Sequence, residues 1–143
     1  MVSVINLNNP DILDKAKRKI DYSNCSIYEN FLNVYQNRLD EVLIEQDSSL
    51  YTAEKIINYS NRLAQFLIDS DIQPNDTVSL LLPNSIWFVI SILSSFQVGA
   101  KVTLINPRLA SREIQFQLTD SETKILSAAG KVFKRELIKR NQS

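Results

Sequence analysis

Asp120 and Glu122, with one residue between them, could imitate a general-acid and general-base pair. They fall in a turn ahead of an expected strand, so the expectation is two solvated loop carboxylates. Cys25 is the single cysteine. Nothing beside it in the sequence would lower its thiol pKa, and it is expected to be structural or inert. One cysteine cannot form an internal disulfide, a CxxC redox pair or a zinc knot. The chain has no histidine, which excludes Ser-His-Asp and Cys-His catalysis and any His-based metal site within it. Its two glycines, Gly99 and Gly130, stand far apart. That excludes GxGxxG and GxxxxGK[ST] loops, which need clustered glycines so that backbone N–H groups can approach phosphate. Asn84, Asn106 and Arg108 follow expected strand ends, where open α/β sheets bind ligands.

These residues must be positioned by elements that the periodicity suggests. Asp11–Ile20 reads as a helix, basic through Lys15, Lys17, Arg18 and Lys19. Ser26 and Glu29 have the spacing of a capping box, and Ile27, Phe31, Val34 and Tyr35 follow at helical spacing. Val42–Glu45 and Leu50–Thr52 read as short strands joined by a turn at Asp47-Ser48-Ser49. Thr52 can cap a helix running to about Asp69, with Ile56, Ile57, Leu63, Ala64, Phe66 and Leu67 on its apolar face.

Beyond the Asp71–Asp76 loop the chain changes character. Thr77–Leu82 is a continuous run suited to a strand covered on both faces. Ser85–Val98 is a strongly apolar helix, expected in the core, with Trp87 as packing. Val102–Ile105 is a strand, Ser111–Leu118 a helix with Ile114, Phe116 and Leu118 facing inward, and Thr123–Leu126 a strand. Lys131–Lys139 reads as a last helix whose basic side is a solvated face, the sharper alternative being a membrane or acidic-partner surface. Strand and helix alternate, so the fold class is α/β: a parallel sheet flanked by helices, after a helical and hairpin N-terminal region. Residues 1–143 make a single or partial domain, with a helical leader and first strand over 1–50 and the α/β region over 51–143.

Composition agrees with a globular chain. At 143 residues it is one domain by length and can bury roughly 68–70% of its unfolded surface. Hydrophobic residues make up 44% and charged residues 22%, which excludes disorder throughout. Sixteen basic residues balance sixteen acidic ones, so the global basic signature of a nucleic-acid binder is missing and no nucleic acid is expected as a partner. The most apolar run, from Ile86 to Phe96, is shorter than the roughly 20 residues a bilayer needs. Met1–Asn8 lacks the basic start and apolar core of a secretory signal, so a cytoplasmic location is expected.

One ordered set of residues is more specific than periodicity. Tyr51-Thr52-Ala53-Glu54 leads to Ser60-Asn61-Arg62-Leu63-Ala64 and then Leu81-Leu82-Pro83-Asn84-Ser85. Gly99-Ala100, Ile105-Asn106-Pro107, Glu113-Ile114 and Gln117-Leu118-Thr119-Asp120-Ser121 follow. In order and spacing this set, over about 26–127, resembles the N-terminal part of the adenylate-forming (AMP-binding) enzymes. Asn106-Pro107 followed by Glu113-Ile114 looks more like the acyl-CoA ligase branch than the peptide-synthetase branch. Asp71 and Asn75 stand where the family usually has glycine. Both types tolerate left-handed backbone angles, so the turns are expected to survive.

The resemblance implies ATP-dependent ligation: a carboxylate and ATP give an acyl-adenylate, and the acyl group then passes to a thiol. It implies ATP, Mg and coenzyme A for the parent family and none for this chain alone. The family's phosphate loop, aromatic-Gly-x-Thr-Glu segment, ribose-binding aspartate and catalytic lysine all lie downstream of the matched region. No catalytic residue carries over, no cofactor-binding residue is assigned, and no metal site is expected. Partners implied are the remainder of a split adenylating enzyme or a second copy of the chain. Two other classes stand beside the ligase piece: a non-catalytic interaction subunit, and a small α/β binding module with Asn84, Asn106 and Arg108 around a pocket.

Overall fold

The computed structural model describes residues 25–128 and the backbone of 131–134. The helix expected over Asp11–Ile20 lies outside the described residues. Helix α1 (Ile27–Tyr35) starts on a reciprocal cap. Ser26 Oγ accepts from the Glu29 amide at 3.1 Å, and Glu29 Oε2 accepts from the Ser26 amide at 2.6 Å. Both bonds satisfy donors that the first turn leaves orphaned.

Strands β1 (Val42–Gln46) and β2 (Ser49–Thr52) form an antiparallel hairpin. Its turn is the two residues Asp47 and Ser48, at φ +50° and +61°. Two positive φ values in a two-residue loop match the twist of the flanking strands, so the turn is tighter than the three residues expected. Thr52 then ends β2 and caps α2 (Ala53–Asp69), accepting from the Lys55 amide at 3.3 Å.

Helices α2 and α3 (Ile86–Gln97) end alike. After α2, Asp71 takes φ +64°, the Ile72 amide bonds Leu67 O at 3.1 Å and the Asp71 amide bonds Ile68 O at 2.9 Å. After α3, Gly99 takes φ +75°, the Ala100 amide bonds Ser95 O at 2.9 Å and the Gly99 amide bonds Phe96 O at 3.2 Å. Each is a Schellman cap, and Leu67 with Ile72 supplies the apolar contact that accompanies it. Asp71 thus serves where glycine is usual, and Asn75, at φ +71°, does the same four residues on.

Strands β3 (Thr77–Leu81), β4 (Lys101–Leu104) and β5 (Thr123–Ala128) are mutually parallel, in the order β4-β3-β5. Helix α4 (Ser111–Asp120) links β4 to β5. The central strand β3 is buried at Thr77, Val78, Ser79 and Leu80, which explains its unbroken sequence. Leu67, Ile72, Val78, Leu80, Ala100 and Ile125 make one core cluster, and Tyr28, Ile56, Ile86, Ile90 and Leu93 a second among the helices.

Three expectations fail. Lys131–Lys134 is strand β6, antiparallel to β5, where a helix was expected. A four-residue Lys-Val-Phe-Lys run fits either period, and the open edge of β5 decides it by supplying hydrogen-bond partners. Phe116 was expected inward on α4 but is 68% exposed, and that helix buries no residue fully. Phe66, counted with the apolar face of α2, is also exposed.

Candidate functional site

The described surface has two clefts that draw on the sequence-selected residues. One lies at the amino ends of the parallel strands. Thr77, Lys101, Thr103, Thr119, Asp120, Ser121 and Glu122 line it, in a volume of about 800 Å³. Asp120 and Glu122 are both exposed there. Glu122 takes φ +52° and its amide bonds Thr119 O at 3.1 Å, so it terminates α4 in a left-handed turn. The pair is therefore a helix stop. Beneath it runs a hydroxyl chain: Ser121 Oγ donates to Gln117 O at 2.7 Å, Ser121 Oγ lies 2.7 Å from Thr123 Oγ1, and Thr123 Oγ1 lies 2.5 Å from the buried Ser79 Oγ. Each of these hydroxyls has a partner, and the chain fastens α4 to β5 and β3.

The second cleft is an open groove of about 580 Å³ between α2 and α3. Helix α2 contributes Tyr59, Arg62, Leu63 and Phe66, at the i, i+3, i+4, i+7 spacing of a single face. Helix α3 contributes Trp87, Ile90 and Ser91, and the carboxyl ends of β3 and β5 add Leu82 and Ser127. The rings of Tyr59 and Trp87 sit 5.7 Å apart at 53°. Trp87, expected as packing, is 50% exposed and forms a wall of this groove. Ser60 of α2 and Ser91, Ser94 and Ser95 of α3 are buried. Ser94 Oγ donates to Ile90 O and Ser95 Oγ to Ser91 O, so two of these hydroxyls are satisfied within their own helix.

Asn84, Asn106 and Arg108 line neither cleft. All three are exposed, and Asn106 Oδ1 accepts from the Arg108 amide at 2.9 Å, a turn closed on itself. Cys25 is half-buried at the start of the described residues. Tyr59 and Arg62 as groove residues were not singled out beforehand. The available signal was a second face at helical spacing beside the core face of α2.

The chain is thus an α/β unit with a three-stranded parallel core and helices packed on it. A family model described as AMP-binding enzyme matches residues 32–142, and the chain belongs to that family. The 4-coumarate–CoA ligase 1 of Arabidopsis thaliana is 30% identical over 125 residues, which is 85% of this chain and 22% of that protein. A benzoate CoA ligase from Burkholderia xenovorans LB400 superposes with a TM-score of 0.72 at 15% identity, over 82% of this chain and 23% of that one. The N-terminal subdomain of Klebsiella oxytoca NpsA, solved with 3-hydroxyanthranilyl-AMSN, superposes with a TM-score of 0.67 at 21% identity, over 71% and 26%. The chain is an N-terminal part of the adenylate-forming fold and spans about a fifth of the curated relative's length.

The parent family implies ATP, and the helix N-termini are where a phosphate would seek backbone donors. They do not fit it. At α3 the Ile86 amide is taken by Gln46 Oε1 at 2.8 Å, and the Phe88 amide faces Ser85 Oγ at 3.3 Å. At α4 the Glu113 carboxylate already accepts from the Ala110 amide at 2.9 Å, placing negative charge where phosphate would go. Helix α2 has its Thr52 cap and Glu54 in the first turn. At each of these three starts a backbone amide is already taken by a side chain of the protein. Among the described residues no group of three or more His, Cys, Asp or Glu side chains is placed to hold a metal, and no helix is long and apolar enough to cross a membrane.

Proposed function

We propose that this chain is the N-terminal portion of an ATP-dependent acyl-CoA ligase-like enzyme, acting in the cytoplasm and only together with the remainder of that enzyme. The observation that carries this reading is the family match over residues 32–142 in a chain spanning about a fifth of an acid–CoA ligase relative. The parent reaction is activation of a fatty or aromatic carboxylate by ATP, followed by thioester formation with coenzyme A. This portion supplies the start of the sheet and the helices over it.

Carboxylate-dependent ATP–pyrophosphate exchange tests the reading. The pure chain is expected to show none, and the chain assembled with the remaining portion of the enzyme is expected to show exchange. Exchange by the chain alone would refute it.

A further inference from the structure

From Cys25 to Glu54 the sequence carries six acidic residues, Glu29, Asp40, Glu41, Glu45, Asp47 and Glu54, against one basic residue, Arg38. Arg38 is taken by Glu41, and the other five carboxylates form no ion pair with a described residue. The same stretch is rich in exposed apolar surface. Of the ten large hydrophobic side chains exposed among the described residues, five lie here: Ile27, Val34, Leu39, Val42 and Leu50. On α1, Ile27, Phe31 and Val34 stand at i, i+4 and i+7 and so share one face. Phe31 packs partly against the helix core cluster, while Ile27 is 61% and Val34 45% exposed. An acidic region that carries an apolar stripe is complementary to a basic segment with an apolar stripe of its own.

We infer that the Ile27–Val34 stripe of α1 receives the chain's own segment Asp11–Ile20, laid antiparallel to α1 as a helical hairpin. Three features favour this occupant. The first is its pattern: Ile12, Ala16 and Ile20 recur every four residues with Leu13 beside them, which makes one apolar face in a helix. The second is charge. Lys15, Lys17, Arg18 and Lys19 place four cations in five positions, and at helical spacing Lys17 and Lys19 flank the apolar face, opposite the surplus of carboxylates. The third is reach. Only Asp21 to Cys25 separate Ile20 from the Ser26 cap, a connection of the length that joins antiparallel helix neighbours. Ten helical residues rise about 15 Å and the nine of α1 about 13.5 Å, so the segment spans the stripe from end to end. So short a tether makes the contact intramolecular, and a modest apolar area then suffices. In this arrangement Ile20 lies beside Ile27, and Ile12 and Leu13 lie beside Val34. Both partners belong to this chain, so the inference stands apart from the ligase reading.

The test uses the full chain with the photo-crosslinking residue p-benzoylphenylalanine at position 34. Val34 is exposed, so the fold is expected to tolerate the change, checked by circular dichroism. Position 34 lies at the end of α1 away from the connection, so the covalent chain does not by itself bring it to the segment. Asn33, also exposed and about 100° round the helix, is the control position. After irradiation, mass spectrometry of the monomer identifies the joined peptide. A crosslink from position 34 to Asp11–Ala16 of the same molecule, well above that from position 33, supports the inference. Lys17→Glu together with Lys19→Glu is expected to lower its yield about fivefold. Equal yields from both positions, a crosslink found only in dimers, or a yield unchanged by the charge reversal overturns the inference. Absence of any crosslink to the segment, with binding of the chain to anionic phospholipid vesicles, also overturns it and assigns the segment to a lipid surface.

Discussion

Lys124 Nζ lies 2.8 Å from Asp76 Oδ2, joining β5 to the loop that feeds β3 across 48 positions of sequence. The same carboxylate oxygen accepts from the Gln73 amide at 2.7 Å. One side chain thereby closes the loop on itself and fixes it to the sheet. The Lys124 hydrogen bond, working against partial burial, holds the Asp76 carboxyl below its ordinary value of 3.8, with help from the Gln73 amide and the charges of Lys124 and Lys101. A lowered folded pKa means stability that is full above the unfolded value and is lost as pH falls through the folded one. Asp76→Asn is expected to cost about 1 kcal/mol near neutral pH, a surface-scale effect. The gap to wild type is expected to close as pH falls below the ordinary carboxylate range, read from urea midpoints across an acid titration.

The left-handed helix stops separate glycine from its substitutes. A Cβ added at Gly99, with φ +75°, would meet Pro74 Cβ at 3.3 Å. Gly99→Ala is expected to destabilise by about 1–2 kcal/mol through strain and this contact. Asn75→Gly is expected to stay within about 1 kcal/mol of wild type, whereas Asn75→Val should cost more, since β-branched residues resist positive φ. Thermal melts of the three variants rank them.

The buried hydroxyl contact between Ser79 and Thr123 should behave as a unit. Thr123→Val removes the hydroxyl that Ser79 Oγ bonds, while Ser121 Oγ keeps Gln117 O, and is expected to cost about 1–3 kcal/mol. The double variant Ser79→Ala/Thr123→Val is expected to be less destabilised than the two single changes summed. A double-mutant cycle by denaturant unfolding measures the difference.

Burial separates apolar residues that look alike in sequence. Ile90 is fully buried, and Ile90→Ala is expected to cost about 2–5 kcal/mol. Phe116 is largely exposed, and Phe116→Ser is expected to move stability by no more than about 0.5 kcal/mol. Chemical denaturation at one temperature checks both.

Local chemistry was legible wherever it closes within a few residues. Ser26 with Glu29, Thr52 before α2, and Gly99 after α3 all announce helix ends, because a cap needs only its own turn. Asp71 and Asn75 were readable as stand-ins for glycine because their tolerance of positive φ is intrinsic to the residue type. The ordered motifs from Tyr51 to Ser121 carried the family for the same reason: they record the turns and caps of one chain path. The tertiary structure decided what depends on distant neighbours. Lys131–Lys134 became a strand because β5 offered an open edge. Phe66, Trp87 and Phe116 lie outward, and no residue of α4 is fully buried. Periodicity tells which residues share a face. What that face meets is set by elements far away in sequence, and here it left the Tyr59–Trp87 groove open.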